Sequence, residues 1–321
     1  MNEDLRKVVA FIGTGYDDNF VAGGTGFFVG YDGVLHLVTA KHVAVALREV
    51  PFVIRLNRIG GGTKPLTFDQ ASPINWRWYL HPDPTVDVAV LPVHLDTSGA
   101  DFAYINEDEF LGGRHIGMDA VTIGDVAYTV GLFRLMAGKR ANLPVVHSGA
   151  ISLLPSDELV PVQDWEPDKK GQTKYVQAYL VEQMSLNGLS GAPVFVRASV
   201  SWTDLPSKAG TIDVLVPHAR VALMGLWQGA WDAEPDAVLA LDKGKQVRVP
   251  VGMGVVVPMA RIKEVLDMDE LRAARERSRR SRADEDAASL DSAFPATEDA
   301  ERAAGDELVR RMLNTKPKRD G

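Results

Sequence analysis

The sequence contains no cysteine among its 321 residues. This absence excludes the disulfide frameworks of small secreted domains, zinc sites built from thiolates, and catalysis by a cysteine nucleophile. A chain of this length buries a large enough core to fold without such cross-links. Any covalent catalysis therefore needs an alcohol, an amine or a carboxylate as its nucleophile.

Long apolar runs are also missing. The N-terminal sequence MNEDLRKVVAFIG begins with acidic residues, and its apolar part is too short for the core of a signal peptide. The best candidate for a membrane span, VPVGMGVVVPMA, is interrupted by proline and glycine. The formal net charge of -8 argues against general binding to nucleic acid. We therefore expect a cytoplasmic protein without a membrane anchor or a nucleic-acid partner.

What the sequence has instead is a series of short runs rich in Val, Ile, Phe and Leu, separated by turn-forming Gly, Pro, Asn and Asp, from residue 7 to about residue 262. Runs such as GTGFFVGYDG, VDVAVLPV and VGMGVVVP are typical of β-strands, and few segments in this span have a helical period. The pattern predicts an all-β sandwich or pair of barrels and argues against a parallel α/β fold.

The strand pattern breaks near Gly112 to Asp119, so we predict two β domains, residues 1–115 and residues 116–262. The composition then becomes charged, rich in alanine and nearly free of aromatic residues, which predicts a helical or disordered tail over residues 263–321. The tail contains the Arg-rich run LRAARERSRRSR, but the acidic run DEDAASLD follows it, so a solvated helix face is favoured over a nucleic-acid site. We expect the tail to dock a protein partner or to regulate access to the site.

Three segments together contain the groups needed for acyl transfer. LVTAKHV ends a predicted strand near His42, VDVAVLPV begins an apolar strand with Asp87, and NGLSGAPVF places Ser190 between two glycines. A serine hydroxyl is a poor nucleophile until an imidazole takes its proton and a carboxylate orients that imidazole. Gly188 and Gly191 allow a sharp turn, so the N–H groups of Gly188 and Ser190 are predicted to form an oxyanion hole.

Other residues of the same chemistry compete with these assignments. They are His36, His81 and His94 for the base, Asp83 for the carboxylate and Ser185 for the nucleophile. Asp87 is favoured because the apolar run after it implies a buried carboxylate, which needs a partner such as the His42 imidazole. Ser190 is favoured because Ser185 has no flanking glycines, although GLSGAP also fits a simple turn between strands.

These segments resemble the trypsin-like serine peptidase family, especially its bacterial branch that contains the HtrA-type proteases. The matching motifs are GTGF at residues 24–27, TAKH at 39–42, DVAVL at 87–91, GLSGAP at 188–193, MGLWQG at 224–229 and GMGVVVPMARI at 252–262. The resemblance implies two antiparallel β-barrels over residues 8–262, with a cleft between them. It implies a serine endopeptidase acting on proteins or peptides, with His42 as general base, Asp87 orienting it, Ser190 as nucleophile, and no metal or cofactor.

The same resemblance places the substrate pocket. Its base is expected near Met184, with Glu182 within alignment error, and Gly225, Leu226 and Trp227 are expected on the strand beside it. No aspartate lies near Met184, so an uncharged side chain is favoured at the cleaved position. Trp227 suits core packing as well as a pocket wall. The alternative function is a catalytically inactive, protease-like module that binds peptides and recruits a partner through its tail, and the complete triad argues against it.

Overall fold

The computed structural model describes most of the chain. The described residues are 3–16, 19–48, 50–66, 77–93, 98–113, 120–165, 172–184, 186–207, 210–233, 249–277 and 279–280. The chain separates into two compact units, Met1–Arg275 and Glu276–Gly321, and all the strands named below lie in the first. No helix within the described residues is long and apolar enough to cross a membrane.

The first half forms one nine-stranded sheet. Its strands are β1 (Val9–Thr14), β2 (Val21–Tyr31), β3 (Val34–Thr39), β4 (Val53–Arg58), β5 (Thr63–Leu66), β6 (Tyr79–Leu80), β7 (Ala89–Pro92), β8 (Ala100–Asp101) and β9 (Ile105–Asn106). The hydrogen-bonded order is β5-β4-β1-β2-β3-β7-β6, with β8 beside β4 and β9 beside β2. Asp32 and Gly33 join β2 to β3 with φ of 49° and 70°, as a tight Asp-Gly hairpin turn requires.

The second half forms a closed antiparallel barrel with a small extra sheet. Its strands are β10 (Val126–Gly131), β11 (Val145–Leu153), β12 (Val160–Gln163), β13 (Thr173–Val176), β14 (Tyr179–Glu182), β15 (Pro193–Ser207), β16 (Gly210–Ala233) and β17 (Val249–Pro258). The barrel closes in the order β10-β11-β14-β17-β16-β15, while β12 and β13 pair only with each other among the described residues. Short 3-10 helices span Glu3–Arg6, Glu107–Glu109 and Arg134–Met136.

The all-β class and the antiparallel barrel of the second half are confirmed. In the first half, the pairings between described residues leave β5 and β6 as the two ends of the path, so closure of a first barrel stays a prediction. The limits 1–115 and 116–262 also stay predictions, and residues 114–119 lie outside the described part of the chain.

One apolar cluster joins the two halves. It contains Phe11, Phe27 and Leu37 from the first sheet together with Phe195 and Leu226 from the barrel, all buried. Burying these side chains removes apolar surface of both sheets from water, which is the main favourable term in folding. The two sheets are therefore held together by a shared core as well as by the polar contacts described below.

The core also reaches further along the chain than the composition indicates. Helix α2 spans Met259–Leu266, and residues 269–277 are helical. Side chains beyond residue 262 that are buried against the core are Val265, Leu266, Leu271, Ala274 and Arg275. The charged tail was expected to begin at residue 263, whereas the first compact unit continues to Arg275. The difference arises because an amphipathic helix has a charged average composition even when one face is apolar.

A buried histidine fastens α2 to the loop that precedes β7. Asp83 donates its N–H to Nδ1 of His81 at 3.1 Å, so the proton of this ring lies on Nε2. Nε2 is 2.8 Å from a carboxylate oxygen of Glu264 and donates to it. Partial burial raises the pKa of the Glu264 carboxyl, but the hydrogen bonds that it accepts from His81 and Arg261 outweigh burial and lower the pKa overall. The contact between His81 and Glu264 connects α2 to the loop that carries Asp87.

The buried His36 on β3 makes a prediction about stability. Burial lowers the pKa of His36 to about 3, and the positive charge of Arg275 acts in the same direction. In the unfolded chain the pKa is near 6.5, so below that pH the unfolded state binds a proton that the folded state does not. His36 therefore lowers the free energy of unfolding progressively as the pH falls from 6.5 towards 3.

We expect this contribution to reach about 2 kcal/mol between pH 7.5 and pH 5.0. The variant His36→Leu removes the titration, so its free energy of unfolding should fall less over the same interval, by about that amount. Urea unfolding at the two pH values measures the difference. An identical pH dependence in the wild type and the variant would contradict the prediction.

Candidate active site

His42 lies at the start of a short helix that follows β3 directly. Helix α1 spans Lys41–Ala46, and Ala40 at its N-cap is extended and provides no side-chain cap. The first N–H groups of a helix have no partner within the helix. The N–H of His42 instead donates to Oδ1 of Asp87 at 2.9 Å.

The second oxygen of the same carboxylate binds the imidazole ring. Oδ2 of Asp87 is 2.7 Å from Nδ1 of His42, and the Asp87 side chain has no exposed surface, whereas that of His42 is 27% exposed. Burial raises the pKa of Asp87, but the charge of His42 and its hydrogen bonds outweigh this effect and lower the pKa overall. Asp87 is therefore held as a carboxylate.

The ionised carboxylate fixes the tautomer of His42. A carboxylate only accepts hydrogen bonds, so Nδ1 carries the proton and Nε2 keeps its lone pair. Burial lowers the pKa of His42, and the charge and hydrogen bond of Asp87 outweigh burial and raise the pKa above the ordinary value of 6.5. Nε2 of His42 is therefore able to accept a proton, and the buried negative charge of Asp87 stabilises the protonated ring.

Ser190 lies in a tight turn that leads into β15. Within the turn, Ala192 donates its N–H to the carbonyl of Leu189 at 2.7 Å. Backbone bonds also tie the turn to β16, because Gly191 donates to the carbonyl of Trp227 at 2.9 Å and Trp227 donates to that of Ala192 at 2.8 Å. Ser190 itself is half-buried. The turn is thus anchored on β16 directly after Ser190.

Gly191 brings this turn against the segment that leads into α1. Its φ is +84°, and a Cβ at this position would lie 2.2 Å from the carbonyl oxygen of Thr25 and 2.3 Å from Oγ1 of Thr39. A side chain is excluded both by the backbone conformation and by the lack of space. Gly24 is also confined, because its Cβ would lie 2.9 Å from methyl groups of Val43 and 3.2 Å from the Ser190 carbonyl oxygen.

Thr25 is the hydrogen-bonded link between the Ser190 turn and the His42 segment. Its N–H donates to the carbonyl of Ser190 at 3.0 Å, and its hydroxyl donates to the carbonyl of Gly188 at 2.7 Å. The same hydroxyl accepts the N–H of Leu132 at 3.0 Å, and the hydroxyl of Thr39 donates to the carbonyl of Thr25 at 2.6 Å. Thr39 comes three residues before His42, so one buried residue connects both segments.

This role of Thr25 was not predicted from the sequence, where the residue is only part of the GTGF motif. The sequence does offer a signal for such a role, because Thr25 stands between two glycines inside an apolar strand. A hydroxyl buried there needs hydrogen-bond partners. Which partners it has depends on contacts distant in sequence, and these are visible only in the fold.

The competing candidates lie elsewhere. His36 is buried within β3, and His81 is bonded to Glu264. Asp83 accepts the N–H and hydroxyl of Thr85 at 2.8 and 2.7 Å, so Asp87 is the carboxylate bonded to His42. His94 and Ser185 lie outside the described residues.

The residues predicted to line the substrate pocket have different environments. Met184 is 59% exposed. Gly225 lies in β16, where a Cβ would be 2.0 Å from the carbonyl oxygen of Val257, and Leu226 beside it is fully buried in the shared core. Trp227 is 1% exposed and belongs to the core of the barrel. These positions favour core packing for the Leu226 and Trp227 side chains, and the pocket itself stays a prediction.

Comparisons with known proteins give only distant likenesses. The sequence matches no protein-family model and no curated protein. The structure is similar to the active form of the Rv3671c protease from M. tuberculosis, at 15% identity over 82% of this chain and 80% of that chain, with a TM-score of 0.44. It is also similar to the inactive form of Rv3671c, at 16% identity over 82% and 88% of the two chains, with a TM-score of 0.41. A likeness at this level carries no argument about function.

The Thr25 link predicts a local effect of removing one hydroxyl. Thr25→Val keeps the shape of the side chain but leaves the Leu132 N–H and the Gly188 carbonyl without this partner. Each buried group that loses its partner costs about 1–3 kcal/mol. We expect faster amide hydrogen exchange in residues 187–192, measured by mass spectrometry on the folded variant.

Thr129→Val is the matched control. The Thr129 hydroxyl is also buried in the barrel, where it donates to Oε1 of Gln183 at 2.7 Å. We expect a comparable loss of stability in this control, with unchanged exchange in residues 187–192. Equal exchange in these residues in both variants would show that the Thr25 hydroxyl does not hold the turn.

Proposed function

We propose that this protein is a serine endopeptidase that cleaves peptide bonds through an acyl-enzyme on Ser190. The observation that carries the proposal is the paired hydrogen bond of His42 to Asp87, at 2.7 Å from the ring and 2.9 Å from the backbone. These two bonds leave Nε2 of His42 free to act as a base. Thr25 and Gly191 connect the segment that carries His42 to the Ser190 turn. A base, an orienting carboxylate and a nearby alcohol are the components of acyl transfer.

In the proposed mechanism, Oγ of Ser190 attacks the carbonyl carbon of the substrate while Nε2 of His42 takes the hydroxyl proton. The carboxylate of Asp87 stabilises the imidazolium that forms. The N–H groups of Gly188 and Ser190 donate to the oxyanion of the tetrahedral intermediate. Nε2 then gives its proton to the leaving amine as the C–N bond breaks, which leaves an ester on Oγ of Ser190. Water attacks this ester while Nε2 takes its proton, and that proton passes to Oγ as the ester bond breaks and the carboxylic acid product leaves. These steps use groups of the chain and water alone.

An inactive peptide-binding module fits the site less well. Burying an ionised carboxylate is expensive unless it is fully hydrogen-bonded, and a binding groove gains nothing from it. Asp87 also holds the first turn of α1, but a neutral Asn or Ser accepts the same N–H without a buried charge. The charge is useful where an imidazolium has to form.

The expected protein partner of the tail is a separate proposal. Residues 281–321, which make up most of that segment, lie outside the described part of the chain. A truncation that tests docking or regulation has to start after residue 280, because removal from residue 263 would delete Leu266 and Leu271 from the core.

The first test is covalent labelling by a fluorophosphonate probe, which reacts with activated serines. We expect the wild type to be labelled and Ser190→Ala to lose the label. Ser148→Ala, an exposed serine on β11, is the matched control and should label like the wild type. Labelling of Ser190→Ala at the wild-type level would exclude Ser190 as the nucleophile and favour the binding module.

The second test is the pH dependence of peptide hydrolysis. His42 acts as a base only when neutral, and its pKa is raised above 6.5, so kcat/KM should fall as the pH drops through a value above 6.5. Asp87→Asn removes the charge that raises this pKa, so the midpoint should move down, and kcat should fall by about four orders of magnitude as in other triads. A flat profile between pH 5.5 and pH 8 would rule out His42 as the base.

A further inference from the structure

An indole lies beside the His42 ring, and a cationic side chain lies beside the indole. Trp165 comes two residues after β12, and its ring centroid is 6.1 Å from that of His42. Lys174 lies in β13, with Nζ 5.6 Å from the centroid of the Trp165 ring. The β12–β13 hairpin thus brings two hydrogen-bond donors to the proposed catalytic base.

Both donors are buried without a hydrogen-bond acceptor among the described residues. The side chain of Lys174 is only 9% exposed, and neither its Nζ nor Nε1 of Trp165 has a hydrogen-bond partner there. The ammonium is 3.8 Å from Oδ1 of Asp164, which is an ion pair but is longer than a hydrogen bond. A buried donor left without an acceptor destabilises the fold, so an acceptor from outside the chain would be favourable there.

The charge of Lys174 also acts on the catalytic pair. It contributes to lowering the pKa of His42 and that of Asp87, although the direct contacts between those two residues are larger effects. The ammonium is therefore close enough to attract a negative group bound next to His42.

The hairpin that carries these donors is firmly attached. β12 and β13 pair from Val160 opposite Val176 to Gln163 opposite Thr173. Val160 and Val176 are buried in a cluster with Val255 of the barrel, and Nε1 of Trp231 donates to the carbonyl of Pro161 at 2.8 Å. Lys174 lies within the paired strands, opposite Val162, so this donor is preorganised, which is typical of a binding site.

We propose that Lys174 and Trp165 form a subsite that binds a carboxylate of the substrate. The occupant is the side chain of an aspartate or glutamate at a position neighbouring the cleaved residue. Its two oxygens accept a charge-assisted bond from the ammonium and a bond from the indole N–H. This inference rests on the proposed peptidase function and adds a preference for acidic peptides to it.

A purely structural role for the same residues has a different consequence. If Lys174 only pairs with Asp164 and packs on Trp165, its removal lowers stability and leaves substrate choice unchanged. Substrate choice therefore distinguishes the two roles, with thermal unfolding as a check that each variant folds.

The experiment uses the full-length protein and a library of internally quenched peptides with Glu or Gln fixed at each position around the cleaved bond. At one position, we expect the wild type to show at least a tenfold higher kcat/KM for Glu than for Gln. Lys174→Met should bring this ratio close to one, whatever its effect on the rate at which the Gln peptides are cleaved. Asp164→Asn removes the competing carboxylate and should raise the ratio. Lys139→Met, an exposed lysine, is the matched control and should leave the ratio unchanged.

A binding measurement separates this inference from the proposed function. Ser190→Ala protein, which does not turn peptides over, should bind the Glu peptide about tenfold more tightly than the Gln peptide by calorimetry, and adding Lys174→Met should abolish the difference. Cleavage without a Glu preference, or a preference that survives Lys174→Met, would overturn the subsite alone. A protein that is neither labelled nor active would overturn the peptidase proposal, and equal binding of both peptides would then overturn the subsite too.

Discussion

The structure of the site depends on the buried carboxylate of Asp87. A negative charge without exposed surface is stable only if its oxygens accept hydrogen bonds. Asp87 accepts two, one from the ring of His42 and one from its backbone. The two bonds fix the rotation of the imidazole relative to its own main chain, and they place the lone pair of the ring on Nε2. The backbone pairing of β3 with β7, in which Thr39 lies opposite Ala89, brings the start of α1 next to the Asp87 loop.

A second constraint joins this pair to the barrel. The buried Thr25 bonds with both its backbone and its hydroxyl to the Ser190 turn, and with its carbonyl to Thr39. Gly191 permits the close approach because any side chain there would meet Thr25 and Thr39. The apolar core shared by both sheets supplies most of the free energy of this association, and the hydrogen bonds determine its geometry.

The parts predictable from sequence are those encoded locally. Short runs rich in Val, Ile, Phe and Leu, separated by turn-forming residues, predicted the strands, and short motifs predicted His42, Asp87 and the Ser190 turn as site candidates. The extent of the core was not predictable from composition, because Leu266 and Leu271 lie on one face of charged helices. Trp165 and Lys174 were missed because their places near His42 depend on how the β12–β13 hairpin packs on the barrel. Contacts of this kind have no periodic signature in the chain.

In neutral His42, the ring proton lies on Nδ1 and is donated to Asp87. The most direct measurement is nitrogen-15 NMR of the histidine side chains across pH, with His42 assigned by comparison with His42→Gln. We expect a protonated Nδ1 and an unprotonated Nε2 at high pH, with protonation of Nε2 at a pH above 6.5. A neutral ring protonated on Nε2, or a midpoint below 6.5, would contradict this expectation.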